Sequence, residues 1–412
     1  MKNFIGLILC AAAFASASMI GLDALGEEQS AGGMVNAAGR GYAGNAKTGE
    51  AEGISIVNPA RIAFDTKVVF NVNFLVGITD HSGDGNYVTN DISIPSFNLS
   101  FPMGNFGAFG VSLWQSYASV FKDDVKDSAM AVDAEMEYQS SVYEIVPSYA
   151  LRLPYLRNFA LAASAHFVMG DLSRSLTLGP DNSLISDEDA WATNSAEITD
   201  RVDGTWELKN HPAYYTVALQ YRGHQSSYFI SFTTSHTLQN DLRYNFRFSQ
   251  LDTLAPNRYT REIEVPAMLA TGMNFRFFKR NNLMMDLQWR PWDSDIENVS
   301  GSYDLPKVTK TQNDVLASIG LQRDGSTLFY DSYWDRITYR IGGWYKGWYI
   351  DGIHEFGGSI GAGFPLGRKG TTVDVALQGG KRTSDSSNNW EETFIGIRLG
   401  LMGVGNWGQT HR

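Results

Sequence analysis

The sequence predicts an all-β fold, a transmembrane antiparallel β-barrel of about fourteen strands with an N-terminal hatch in its lumen. Three observations carry this. Apolar and polar residues alternate with period two along many segments. The segments are long: from Tyr228 to Phe248 one parity holds Tyr228, Ile230, Phe232, Leu238, Leu242, Tyr244, Phe246 and Phe248, whereas sandwich strands end after about five or six residues. The connections alternate between tight and long, as in barrels with short periplasmic turns and long outside loops.

The chain of 412 residues opens MKNFIGLILCAAAFASAS. Lys2, an apolar core from Phe4 to Phe14, and small residues at Ala15, Ala17 and Ser18 make residues 1–18 a secretory signal, cleaved near Ala17. The apolar core is too short to cross about 30 Å of hydrocarbon. Cys10 is the only cysteine and follows Leu9, where acylation wants a small residue, so it is read as part of the signal. A mature chain without cysteine has no disulfide and no thiolate metal site. A net charge of −11 with no basic patch argues against nucleic acid as a partner.

Residues 19–66 are Gly/Ala-rich and weakly periodic, and the barrel is assigned to 67–412. A lumen of about fourteen strands is too wide for side chains alone to fill, so the N-terminal segment is expected to fold into it as a hatch. The segment closes on GISIVNPARIAF, residues 53–64. Pro59 fixes its own φ and restrains Asn58 to an extended conformation. Asn58, Pro59 and Ala60 are therefore expected to hold the exit of the hatch into the first strand.

Strands are expected at 67–79, 91–102, 106–121, 135–153, 157–170, 205–222, 227–249, 258–277, 281–292, 311–323, 335–350, 354–366, 371–382 and 391–402. In the first, Val68, Phe70, Val72, Phe74 and Val76 oppose Asn71 and Asn73. In the second, Ile92 and Ile94 lie on one parity and Phe97, Leu99 and Phe101 on the other, with a switch at Pro95 and Ser96 that reads as a bulge or a bend. In the ninth, Leu283, Met285, Leu287 and Trp289 alternate with Asp286, Gln288 and Arg290, and Trp289 and Trp292 suit an interfacial girdle. Joints after even strands are mostly tight and those after odd strands mostly long. The joint at 324–334 is longer than the rule allows and the one at 351–353 shorter. An even strand count places both termini in the periplasm.

In the eleventh strand Arg340, Trp344, Lys346 and Trp348 share one parity, and Ile337, Tyr339 and Ile341 the other. Facing the lumen, the first set offers aromatic walls and two cations to an amphipathic anion. Facing outward, it is an interfacial Trp/Lys belt. Both placements stand at this level. None of the seven histidines has metal-ligand spacing, and His166 reads as a satisfied lumen residue. DHSGDGNYVTND at 80–91 has calcium-loop spacing, but its twelfth position is Asp and Asp-Gly is also a hairpin signal. Ser235 and His236 point to opposite faces and form no catalytic pair. No catalytic residue, metal or cofactor is assigned.

GRGYAGNAKTGEAEGISIVNPARIAF at 39–64 resembles the hatch of the FadL-type outer-membrane transporters of fatty acids and aromatic hydrocarbons. Asn58-Pro59-Ala60 matches the family pattern, whereas Arg61-Ile62 stands where the family usually has Gly-Leu. YRIGGWYKGWYIDGIHEFGGSIGAGFPLG at 339–367, ALQGGKR at 376–382 and EETFIGIRLGLMGVGNWG at 391–408 resemble the C-terminal third of such proteins. The resemblance implies a plugged fourteen-stranded barrel in the bacterial outer membrane, a monomer. It implies passive uptake of a hydrophobic small molecule, with sideways release beside a kinked strand. The surroundings would be outer-membrane lipid and lipopolysaccharide, and insertion would need the barrel-insertion machinery. Here Trp407 is followed by GQTHR, where such barrels often end on an aromatic residue. An adaptor or carrier in protein secretion and a barrel lipase are the alternatives.

Overall fold

The computed structural model describes residues 27–30, 34–49, 52–82, 87–127, 132–180, 201–247, 257–292, 311–328, 330–367, 370–384 and 391–405. The expected signal at residues 1–18 with its Cys10, the tip of the 80–91 loop and Trp407 lie outside these residues. Fourteen antiparallel strands close into a barrel. They are β1 (Val68–Ser82), β2 (Tyr87–Pro102), β3 (Ala108–Asp127), β4 (Val132–Arg152), β5 (Phe159–Pro180), β6 (Arg201–Leu208 and Ala213–Arg222) and β7 (Ser226–Thr233 and His236–Arg247). After them come β8 (Asn257–Val265 and Met268–Phe277), β9 (Asn281–Arg290), β10 (Asp314–Arg323), β11 (Thr338–Gly347), β12 (Ile353–Leu366), β13 (Thr371–Ser384) and β14 (Glu391–Gly405). β14 closes on β1 along its whole length, from Glu391 opposite Ser82 to Gly405 opposite Val68.

Alternation decides the two faces. On β1, Phe70, Phe74 and Ile78 face outward while Asn71 and Asn73 are buried inside. The outer apolar face meets lipid, and the inner polar face needs partners in the lumen. Aromatic residues crowd the end with the short turns: Phe106, Tyr155 and Phe278 are largely bare there. The longer joint between β10 and β11, at that same end, carries a one-turn helix, Tyr333–Arg336, capped by the Ser332 hydroxyl, and presents Trp334 outward.

Two expectations from the sequence change. β5 continues to Pro180 and β6 already begins at Arg201, inside a stretch expected as loop. Alternation continues there, with Leu172, Leu176 and Leu178 opposite Asp171, Ser173, Ser175 and Thr177, and Val202, Trp206 and Leu208 opposite Arg201, Asp203, Thr205 and Glu207, so the strand pattern runs on into the expected loop. The single parity from Tyr228 to Phe248 also breaks. β7 is interrupted at 234–235, and Leu238 is buried inside whereas Phe232 faces out. β8 does the same at 266–267: Ile263 and Val265 face in and Leu269 out. β6 is interrupted beside them at 209–212. On the loop side of these breaks Leu208, Leu238, Ile263 and Val265 line the lumen and pack with Tyr117, Trp292 and Tyr349.

Residues 34–49 and 52–64 lie inside the barrel and are almost all buried. A helical turn, Val35–Ala38, and a 3-10 turn, Pro59–Phe64, are its regular parts. Pro59 is the first residue of its turn, where its missing N–H costs nothing. The small residues of this segment are there because backbone touches backbone. A Cβ on Gly342 of β11 would stand 2.1 Å from the Arg40 carbonyl carbon, and Gly41 opposite it has φ 66°.

Candidate functional site

The wall is incomplete at one joint. β2 and β3 pair only from Pro102 opposite Ala108 to Ser96 opposite Trp114. Beyond that point β2 runs on against β1 as far as Tyr87, and β3 against β4 as far as Asp127. No pairing joins β2 to β3 there among the described residues. An irregularity marks each side of this seam. The β1–β2 register shifts between Asn73 and Leu75, so Ile94 and Pro95 together oppose Phe74. The β3–β4 register shifts between Gln115 and Tyr117, which leaves Ser116 as the extra residue. A bulge bends its strand and sharpens its twist, and Pro95 has no N–H to offer a neighbour.

The chain's own N-terminal part occupies the exposed edge of β3. Glu27 and Glu28 extend opposite Ala118 and Tyr117, and the Gln29 N–H donates to the Ser116 carbonyl at 2.9 Å. Their side chains reach wall cations. Glu28 accepts from Arg290 and from Lys346, each at 3.1 Å. Glu27 accepts from Arg382, whose guanidinium also binds Glu355 and Glu392. Two backbone pairs and three cations thus hold a four-residue strap along the β3 edge of the seam.

A cavity of about 50 Å³ lies behind the strap. Trp114 and Tyr117 line it on the seam side, and Tyr214, Val265, Met268 and Leu316 opposite. Its polar side carries a hydrogen-bond network, which leaves Trp114 Nε1 and His236 Nδ1 buried without a partner among the described residues. Glu144 accepts from the Tyr214 hydroxyl at 2.6 Å and bonds His166 Nδ1 at 2.9 Å, and His166 Nε2 bonds Thr216 at 2.9 Å. The rings of His166, Tyr214 and His236 stack at 4.3 and 4.0 Å. Ligand pockets span about 300–1,000 Å³. A guest larger than water therefore needs residues 28–30, which line the cavity too, to leave.

Arg340, Trp344, Lys346 and Trp348 are all buried on the inner face. Each is engaged: Arg340 by Asp374 and Gln322, the Trp344 and Trp348 indoles by Glu355, and Lys346 by Glu28, with its ammonium 3.7 Å from the Trp348 ring centre. Asn58 donates to the Gln220 side chain and to the Asn45 carbonyl, which ties the Asn58-Pro59-Ala60 turn to β6. Arg61, the departure from the resembled pattern, donates to the carbonyls of Gly53 and Glu52 at 2.7 and 2.6 Å. The partners that the sequence did not single out are Glu27, Glu28, Glu355 and Arg382. Their signal was faint: an acidic pair heading a small-residue segment, and charges on the polar parity of strands.

Inside the barrel Glu52 binds Arg40 at 2.8 Å and Lys47 at 2.6 Å, and Lys47 continues to Asp324 at 3.2 Å. Arg40 also donates to Gln322 at 2.8 Å. Burial pushes the Glu52 carboxyl up, but the Arg40 and Lys47 charges outweigh burial and hold it well below its ordinary 4.5. A carboxyl lowered on folding stabilises fully above its unfolded pKa, and the contribution is lost progressively as pH falls from that value through the lowered one. The inner segment is therefore expected to stay seated on acidification from neutrality to about pH 4.5, the unfolded value. Limited trypsinolysis across that range checks this; cleavage within residues 34–64 that grows as pH drops to about 5 overturns it.

A family model described as BamG matches residues 24–412. No curated protein matches the chain. Among solved structures, the chain is similar to a Pseudomonas aeruginosa FadL homologue, with 14% identity and a TM-score of 0.62 over 93% of this chain and 100% of that one. It is similar to the monoaromatic hydrocarbon channel CymD at 15% identity and TM-score 0.55, over 93% and 99%. It is similar to the Pseudomonas putida toluene transporter TodX at 13% identity and TM-score 0.55, over 93% and 99%. At these identities the likeness shows a shared FadL-type barrel fold.

Proposed function

Because the chain belongs to the BamG family and has the FadL-type barrel fold, we propose that it sits in the bacterial outer membrane and passes small hydrophobic molecules through its wall. The observation that carries this reading is the seam between β2 and β3, beside a cavity that the strap residues 28–30 line together with Trp114 and Tyr117 of the β3 edge. Long-chain fatty acids or hydrocarbons are the proposed cargo. The apolar lumen near Leu238, Ile263, Trp292 and Tyr349 would take the ligand from water, since burying apolar surface is favourable. An anionic head would compete with Glu28 for Arg290 and Lys346. Strap release would free the β3 edge, and the ligand would leave sideways beside Pro95 and Ser96. One barrel supplies the whole path, so a monomer suffices. Neither step makes or breaks a covalent bond.

Uptake of a labelled fatty acid into liposomes carrying the purified protein tests the proposal. Uptake no faster than into empty liposomes, with the barrel shown folded by heat-modifiable mobility, overturns it. Residues 34–64 act as the hatch in this reading, held at their exit by Asn58 and Pro59. Pro59→Gly adds backbone freedom there, worth about 1 kcal/mol, and is expected to raise basal flux. Flux equal to the parent's makes the turn a mere connector.

A second reading is an accessory barrel of the barrel-assembly machinery, acting as an adaptor rather than a conduit. The family description and the cavity beside the seam, which at about 50 Å³ admits no ligand as it stands, favour it. Co-purification with that machinery, together with absent uptake, would select this reading.

A further inference from the structure

A second cavity, of about 620 Å³, opens at the short-turn end of the barrel and is separate from the seam. Arg152, Arg157, Arg222 and Arg276 line it, and no acidic side chain does. All four arginines are exposed. Three of them continue the inward parity of their strands, after Ala150, Gln220 and Asn274, so they point into the mouth and away from lipid. This concentration of cations stands out in a chain of net charge −11.

The fold accounts for part of it. The Arg152 and Arg222 guanidinium groups lie 5.0 and 5.4 Å from the centre of the Phe64 ring, and Arg152 donates to the Ala63 carbonyl at 3.2 Å. Those two close over the end of the inner segment. Arg222 feels the Asp65 carboxylate but also the like charges of Arg152 and Arg276. Arg157 and Arg276 make no ion pair among the described residues, and structure alone gives them no task. Like charges held together in an open mouth repel one another, and an anion placed among them relieves that repulsion.

We propose that this mouth is a binding site for an acidic segment of a partner protein. Guanidinium forks pair with carboxylates in two parallel hydrogen bonds. The cavity is large enough for several side chains, and the amides of Asn158 and Asn274 on its wall suit a peptide backbone. A single inorganic anion engages only a part of such a ring, whereas a run of carboxylates engages all of it. The floor is Phe64, so an occupant that draws Arg152 and Arg222 toward itself loosens their hold on the end of the inner segment. The site does not depend on transport.

The test uses the full barrel in detergent and a fluorescein-labelled octapeptide of alternating Asp and Gly. Saturable binding is expected, weakened by added salt, and weakened about tenfold or more, at least about 1.4 kcal/mol, in Arg157→Glu/Arg276→Glu. Neither residue touches the inner segment through a hydrogen bond or ring contact among the described residues, and Arg157→Ala/Arg276→Ala is expected to give a smaller loss in the same direction. Unchanged affinity in both variants, with heat-modifiable mobility intact, overturns the proposal. So does equal binding of a lysine octapeptide, or displacement by inorganic phosphate as effective as by unlabelled acidic peptide.

Discussion

Glu52→Gln is expected to unseat the inner segment without unfolding the barrel. Glu52 is 2% exposed and its two oxygens serve Arg40 and Lys47, which are themselves buried. The change leaves the fully buried Arg40 without its counter-charge, and removing one partner of a buried pair costs about 3–5 kcal/mol. The barrel does not share that loss, because β14 closes on β1 through a ladder that Glu52 never touches. The measurement is trypsin cleavage within residues 34–64, expected at Arg40, Lys47 and Arg61, with the wall left resistant. Parent-like resistance in the variant would show that backbone packing against Gly320 and Gly342, rather than charge, seats the segment.

The larger functional effect is expected from tying the strap down. Glu28 and Tyr117 are direct register partners across an antiparallel pair, where Cα atoms stand about 4.5–5.5 Å apart, within reach of a disulfide. Cys10 is the only native cysteine. Glu28→Cys/Tyr117→Cys under oxidising conditions is expected to lower uptake to the level of empty liposomes, and reduction to restore it. Glu28→Ala alone is expected to raise uptake, since Arg290 and Lys346 lose the group that draws the strap to them. Uptake that is indifferent to oxidation places the route elsewhere than the seam.

Much of the wall was legible in the sequence because lipid on one side and polar contents on the other impose period two. β1 shows this: its phenylalanines and asparagines take the faces their spacing assigns. Legibility ended where that contrast ends. Across the 234–235 break the faces of the second half of β7 are inverted, so Leu238 turns inward against its written parity. The far ends of β5 and β6 keep the contrast in Leu172, Leu176 and Leu178 and in Val202, Trp206 and Leu208, but the long polar stretch 181–200 between them reads as loop and hides where each strand stops. The site was harder still. Lys346 and Glu28 are 318 positions apart, and Arg382 and Glu27 are 355 apart. Such pairs exist only because the barrel closes and the N-terminal part lies inside it. Inward parity could nominate Arg340, Trp344, Lys346 and Trp348, but not the carboxylates that meet them.

The full-length closure of β14 on β1 gives the seam a mechanical meaning. A closed barrel is a hoop, and this one is welded along the whole length of the joint where its two ends meet. Its short weld lies two strands away, between β2 and β3, from Ser96 and Trp114 to Pro102 and Ala108. A membrane too thin or too thick for the outer apolar band strains the wall by fractions of a kcal/mol per Å. Among the described residues the short weld has the fewest ladder pairs to resist such strain, so it is the joint expected to respond first to bilayer thickness, and Glu28 lies on the β3 edge beside it.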